Sequence, residues 1–326
     1  MIIITGGAGF IGSCLVAGLE RAGAGPLVIS DWLGVGEKWR NIAKRQLFDV
    51  VPPEHLLPFL EKNSRDVSMI FHMGAISSTT ERDDDAIVKN NFHLSRDLWN
   101  FCAAHGKRLI YASSAATYGD GTLGFDDDDT PEHLAILQPL NLYGWSKHAF
   151  DRWVVSQQNA HQKPAQCAGL KFFNVYGPHE YHKENMRSVV HQVFPFAMKG
   201  EAFSLFKSHN RLYSDGGQLR DFIWVGDCVD IMLWLYANKG VSGLLNVGTG
   251  KARSFADLAS AVYAATGKPP NITYRDMPQE LRGKYQYFTE ATTTKLRNAG
   301  YEKPFTSLED GVRQYVQNYL QQDPYM

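Results

Sequence analysis

The chain has 326 residues, with 33 lysines and arginines against 34 aspartates and glutamates, a net charge of −1 before its 11 histidines are counted. A nucleic-acid binder carries a basic excess and a peripheral membrane protein a basic amphipathic face, and this balance argues against both. With 44% hydrophobic and 21% charged residues the composition is that of ordinary globular domains, and at roughly 100–200 residues per domain the length suits one large domain or two that share a core.

The first predicted element is a strand, Ile2 to Thr5, entered without a charged lead-in, so no secretory signal is read there and a cytoplasmic protein is expected. No apolar run approaches the ~18 residues of a membrane span. The strand leads into Thr5-Gly6-Gly7-Ala8-Gly9-Phe10-Ile11-Gly12 and then a helix, Phe10 to Ala22, with Ile11, Leu15 and Leu19 at helical spacing. Strand, glycine turn and helix together are the context of a dinucleotide site. Gly6 permits the tight turn, Gly9 lets a pyrophosphate approach the helix amides, and Gly12 lets helix and strand pack closely. The spacing is G-x-x-G-x-x-G rather than the commoner G-x-G-x-x-G.

A second strand, Leu27 to Ser30, ends at Asp31, an acid placed to accept hydrogen bonds from the adenosine ribose, which favours NAD. Lys38, Arg40, Lys44 and Arg45 follow and could instead hold the 2′-phosphate of NADP, or form a solvated basic loop. These residues leave the choice open. Met69 to His72 and Leu109 to Ala112 read as two more buried strands, with a helix from Asn91 to Ala103 between them. Strands alternating with helices predict an α/β fold: a Rossmann-type doubly wound parallel sheet covered on both faces.

Four dispersed cysteines with no C-x-x-C pair predict reduced thiols. The run Asp126 to Asp129 reads as a solvated loop rather than a cation site. Tyr143 and Lys147 stand four residues apart, on one face of a helix, and a cation beside a phenol favours the phenolate that a general base needs. Alone the pair is an ordinary one. It is sharpened by the strand Leu109 to Ala112, which runs into hydroxyls ending at Ser114.

Beyond Phe172 the alternation breaks down. Helices at Val189 to Met198, Cys228 to Ala237, Phe255 to Ala265 and Leu308 to Leu320 are separated by longer loops. The expected division is residues 1–172 as a dinucleotide-binding domain, with later segments crossing back, and 173–326 as mainly a smaller α/β lobe for substrate. His179-Glu180-Tyr181-His182 is one residue short of the H-E-x-x-H zinc motif, and no metal is expected.

Taken with Phe71-His72-Met73-Gly74-Ala75, Asn90-Asn91, the segment Phe173 to Pro178 and the segment Arg220 to Asp227, these motifs make the chain resemble the extended short-chain dehydrogenase/reductase family over nearly its whole length. Members act on nucleotide sugars. The resemblance implies a catalytic triad of Ser114, Tyr143 and Lys147. It implies a dinucleotide along Gly6, Gly9, Phe10, Ile11 and Gly12, with Asp31, Trp32 and Lys38 at the ribose, Met73, Gly74, Ala75, Ile76 and Ser77 farther along, and Asn90 and Val175 nearby. Dehydratases of the family carry an acidic pair directly after the catalytic hydroxyl; here Ala115 and Ala116 follow, so epimerisation is expected instead.

Ser77-Ser78-Thr79-Thr80-Glu81, His182-Lys183 and Gly283-Lys284-Tyr285-Gln286 are similar to one branch of the family. That branch inverts carbon six of ADP-D-glycero-D-manno-heptose, for the inner core of bacterial lipopolysaccharide, with NADP retained through the cycle. It implies Lys183 as a second acid/base beside the cofactor. It also implies substrate contacts at Asn174, Asn185 and Gln192, at Phe206, Lys207, Ser208 and His209, and at Arg220, Tyr285 and Ser114, in a homo-oligomer. Two bases suit the chemistry: a hydride leaves one face of carbon six, the carbonyl turns over, and the hydride returns to the other face, so the hydroxyl proton occupies two places. Trp32 and Pro53 stand where the branch often has an asparagine and a lysine near the ribose phosphate. The rival readings are a UDP-hexose 4-epimerase, a net reductase, and an inactive dinucleotide-sensing protein, against which the intact Tyr143 and Lys147 argue.

Overall fold

The computed structural model describes residues 1–78, 81–157, 160–282 and 285–326, so Thr79, Thr80, Gly283 and Lys284 of the motifs above lie outside the described residues. Six strands appear by residue 172: β1 (Ile2–Thr5), β2 (Leu27–Ser30), β3 (Asp49–Val51), β4 (Met69–His72), β5 (Arg108–Ser114) and β6 (Gln166–Phe172). Short strands follow: β7 (Asn174–Tyr176), β8 (Phe203–Phe206), β9 (Leu219–Arg220) and β10 (Phe222–Trp224). Then come β11 (Gly243–Val247), β12 (Arg253–Ser254) and β13 (Ile272–Arg275). The main sheet is all parallel, seven-stranded, in the order β11-β6-β5-β4-β1-β2-β3.

The triple isoleucine of β1 explains its central place. β-branched side chains suit a pleated surface, and both faces are covered, so Ile2, Ile3 and Ile4 are each almost wholly buried. Alternation then assigns them to two cores. Ile2 and Ile4 pack with Leu15 and Val229, from the helices Phe10–Arg21 and Val225–Ala237. Ile3 packs with Leu98 and Phe150, from the helices Leu94–Ala104 and Leu142–Ser156. The remaining strands form two-stranded pairs, β7 with β10, β8 with β13 and β9 with β12. None of the helices is long and apolar enough to cross a membrane, among the described residues.

Three differences from the expected elements have physical causes. The helix expected from Asn91 begins earlier, in a π-type stretch Val88–His93, because Asp83 caps the preceding turn by accepting from the Ala86 amide at 2.9 Å. Strands β6 and β11 escape a reading by apolar runs because they bury polar side chains. Lys171 and Asn246 are fully buried and are satisfied only by partners remote in sequence. The third difference corrects the expectation of a solvated loop at Asp126 to Asp129. β11 is an edge strand, and Asp127 accepts from the Asn246 amide at 2.7 Å while Asp129 accepts from the Leu244 amide at 3.1 Å and pairs with Lys295 at 2.9 Å. The acidic run seams a sheet edge that would otherwise expose its donors.

Candidate active site

Strand order reverses between β1 and β4: β2 and β3 extend one way, and β5 and β6 the other. In a doubly wound sheet such a switch opens a crevice at the carboxyl ends of the strands. Thr5 and His72, which end β1 and β4, are joined there. The His72 Nδ1 accepts from the Thr5 hydroxyl at 2.6 Å, and Thr5 Oγ1 in turn accepts from the Gly74 amide at 3.1 Å. Ser95 donates to the Asn91 carbonyl at 2.6 Å, so His72 Nε2 is the donor to Ser95. Burial holds this imidazole neutral, with its pKa lowered to about 3.

The glycine turn builds one wall. Gly6 has φ +63°, and a Cβ on Gly12 would stand 2.1 Å from the Gly6 carbonyl oxygen, so the helix can start against the turn only with glycine there. The helix N-terminus at Gly9 carries no side-chain cap, which leaves its first amides for a phosphate group. Asp31 closes the far end: one oxygen accepts from the Ala8 amide at 3.0 Å, and the other pairs with Lys38 at 2.6 Å. Of the basic loop, only Lys38 reaches the cleft. Arg40 pairs with Glu37, Lys44 with Asp323 and Arg45 with Glu20, all away from it. These residues fit a dinucleotide.

Helix Leu142–Ser156 opposes this wall, started by Asn141, whose side chain accepts from the Gly144 amide at 2.8 Å. It brings Tyr143 and Lys147 beside Ser114 at the end of β5. Burial raises the Tyr143 phenol's pKa, and a hydrogen bond with Ser114 offsets part of the rise. Burial also brings Lys147 down to about 8, and its ammonium donates to the Ala112 carbonyl at 2.7 Å. Lys183 enters from the turn Tyr181–Met186, with its ammonium 5.4 Å from the Phe10 ring centre and its pKa lowered by burial.

All the residues expected at the cofactor line this single cleft, as do Ser114, Asn174, Arg220 and Tyr285. Its volume of about 1450 Å³ exceeds the usual pocket for one small molecule. Arg220 is held between aromatic rings, 5.2 Å from the centre of Tyr285 and 5.6 Å from that of Phe255. Six expected substrate contacts do not line the cleft. Asn185 is exposed, and Gln192 donates to the Arg187 carbonyl. Lys207 pairs with Asp276, the Ser208 hydroxyl donates to the Asn210 carbonyl, and the His209 amide donates to Tyr287. Phe206, at the end of β8, meets Tyr285 edge to face, with ring centres 6.5 Å apart.

The sequence pattern described as the NAD dependent epimerase/dehydratase family matches residues 2–248. The chain belongs to this family. A nicotinamide dinucleotide is accordingly its cofactor class, and an epimerase-type isomerase its enzyme class. The family member is 50% identical over 322 residues, 98% of each chain, to the ADP-L-glycero-D-manno-heptose-6-epimerase of Nitratidesulfovibrio vulgaris. It is 48% identical over the full length of both chains to the enzyme of the same name from Fusobacterium nucleatum. The crystal structure of Helicobacter pylori ADP-L-glycero-D-manno-heptose-6-epimerase superposes with a TM-score of 0.79 at 28% identity, covering 97% of this chain and 95% of that one.

Sequence reasoning passed over several residues that shape this family member's site. Asn91 holds the loop that carries Ile76, accepting from the Ile76 amide at 2.8 Å and donating to its carbonyl at 2.9 Å, while Asn90, which lines the cleft, donates to the Ala86 carbonyl of its own helix. Asp151, one turn past Lys147, is wholly buried and accepts from Tyr111, Ser113 and Lys171. The four-residue spacing of Tyr143, Lys147 and Asp151 was the signal that could have found it. His179 and Glu180 are structural, His179 Nε2 accepting from the Met326 amide and Glu180 from Ser188 and Tyr315, while His182 lines the cleft. No group of candidate metal ligands occurs among the described residues.

Proposed function

We propose that the protein inverts carbon six of ADP-D-glycero-D-manno-heptose. The observation that carries this reading is the meeting of Ser114, Tyr143, Lys147 and Lys183 at one cleft, in a chain half identical over its full length to epimerases of that name. A nicotinamide dinucleotide held along Gly6 to Gly12, Asp31 and Met73 to Ser77 would supply the acceptor for a hydride from carbon six and its donor on return, and the positive charge of its oxidised ring would favour the Tyr143 phenolate. Ser114 orients the reacting hydroxyl. Tyr143 removes its proton in one configuration, with Lys147 holding the helix face against β5, and Lys183 exchanges the proton in the other. Ala115 and Ala116 supply no acid for loss of water, so the carbonyl can only be reduced again.

For the dinucleotide we read NADP, supported by Lys38 as the cation beside Asp31 for a 2′-phosphate; NAD would use the Asp31 carboxylate on its ribose. By the same resemblance the protein works as a homo-oligomer in the cytoplasm, and its product serves the lipopolysaccharide inner core. The test is to incubate the purified protein with the D-glycero sugar nucleotide, without added nicotinamide, and follow carbon six by NMR. Interconversion to the L-glycero form is expected. No change there, with turnover of UDP-glucose instead, would overturn the reading.

A further inference from the structure

Arg187, a cation on the cleft wall, is not used by any of these roles. Arg187 joins the turn that carries Lys183 to the helix Val189–Lys199, and it lines the cleft with Asn174, Ser188 and Arg220. Its Nε is shielded from solvent and has no hydrogen-bond partner, and no carboxylate pairs with its guanidinium among the described residues. Three other cations of the cleft are committed: Lys38 to Asp31, Lys147 to the Ala112 carbonyl, and Arg220 to the Leu219 carbonyl at 2.8 Å. A buried donor on a charged group is costly to leave unpaired, and an opening toward a ligand cleft is where such a donor finds its partner.

The backbone around Arg187 is fixed before any ligand arrives. Gln192 donates to its carbonyl at 2.8 Å. The next residue, Ser188, is pinned through its amide and hydroxyl to the buried Glu180 carboxylate, which also accepts from Tyr315 at 2.9 Å. A positive φ of 46° at Glu184 turns the chain between Lys183 and Arg187. With its backbone anchored and its fork uncommitted, this guanidinium is free to meet two phosphate oxygens at once.

We propose that Arg187 binds the diphosphate of the sugar nucleotide, as a substrate-binding residue additional to Arg220. The proposal rests on the reading of the cleft as a sugar-nucleotide site. The test is calorimetric titration of the protein, as purified with its dinucleotide, by ADP and separately by UDP, in wild type, Arg187→Gln and Arg187→Lys. The glutamine variant should lose at least tenfold in affinity for whichever diphosphate wild type binds, with the content of retained dinucleotide unchanged. The KM for the sugar nucleotide should rise in parallel while kcat stays within twofold. Lysine keeps the charge but not the fork, so it should lose about threefold or more, and it serves if the glutamine variant fails to fold. Affinity within twofold of wild type in a folded variant would overturn the proposal. If wild type binds neither ADP nor UDP, the sugar-nucleotide reading itself falls, and the proposal with it.

Discussion

Burial sets the chemistry of the two groups at the centre of the cleft, and it acts on them in opposite senses. It raises the Tyr143 phenol, because the phenolate is the charged form, and lowers Lys147 to about 8, because the ammonium is. At neutral pH the lysine therefore still carries its charge and the tyrosine its proton. In the proposed cycle the positive ring of an oxidised dinucleotide would favour the phenolate, and Tyr143, oriented by Ser114, would then take the hydroxyl proton at carbon six. Tyr143→Phe should lower interconversion by about 10²- to 10⁴-fold, the usual contribution of a positioned acid/base, while the purified protein keeps its dinucleotide. Product formation by NMR and nucleotide released on denaturation measure the two parts. Turnover within tenfold of wild type would remove Tyr143 as the principal base. The pair itself was legible from its spacing, since residues four apart on a helix share a face. The direction of the phenol's shift was not, because it depends on how tightly β5 and the helix close around it.

At the level of elements, the helix Leu142–Ser156 places Tyr143, Lys147 and Asp151 at successive turns, and the last of these ties it to the sheet. Asp151 accepts from Ser113 at 2.6 Å on β5 and from Lys171 at 3.0 Å on β6, and Lys171 also donates to Thr117 at 2.7 Å in the turn after Ser114. The ion pair is entirely shielded from solvent. Removing one partner of such a pair leaves an uncompensated buried charge, so Asp151→Asn should cost about 3–5 kcal/mol of stability. Adding Lys171→Met removes the stranded charge and should recover much of that loss. Urea unfolding of the single and double variants decides this, and a double variant no more stable than the single would refute it. Neither β6 nor the role of Asp151 was readable from periodicity, because a lysine inside a strand looks like a solvent-facing residue until the aspartate 20 positions earlier is seen beside it. Asp127 and Asp129 misled for the same reason: what they satisfy are amides more than a hundred residues away.

At the level of the whole molecule, two buried histidines join segments remote in sequence, and one of them ties the two ends of the chain together. His72 links β1 to β4 and to Ser95. His179 donates to Ser13 and accepts from the amide of Met326, beside Lys44 and Arg45, which hold the last residues of the chain in place. Burial lowers both imidazoles to about 3 from an ordinary value of 6.5. Between those values the unfolded chain binds more protons than the folded one, so stability falls as pH falls below about 6.5. The slope is about 1.4 kcal/mol per pH unit for each histidine that stays neutral. Urea unfolding at pH 7 and pH 5 should show this loss, and His72→Asn should flatten it by about one proton. Stability unchanged between pH 7 and pH 5 would contradict the assignment.

What the sequence determined by itself is what short-range rules control. The isoleucine strand, the glycine turn and its helix, the acid at the end of β2 and the Tyr143–Lys147 pair each depend on neighbours within a few residues, so their spacing carries the information. The tertiary structure alone decided the seam of Asp127 and Asp129 on β11, the buried Asp151–Lys171 pair, and the closure of Lys44 and Arg45 on the chain's last residues. It also left Arg187 uncommitted at the cleft while drawing Arg40, Lys44 and Arg45 away from it. A charged side chain is free or spent according to which remote segment folds against it, and local spacing holds no record of that.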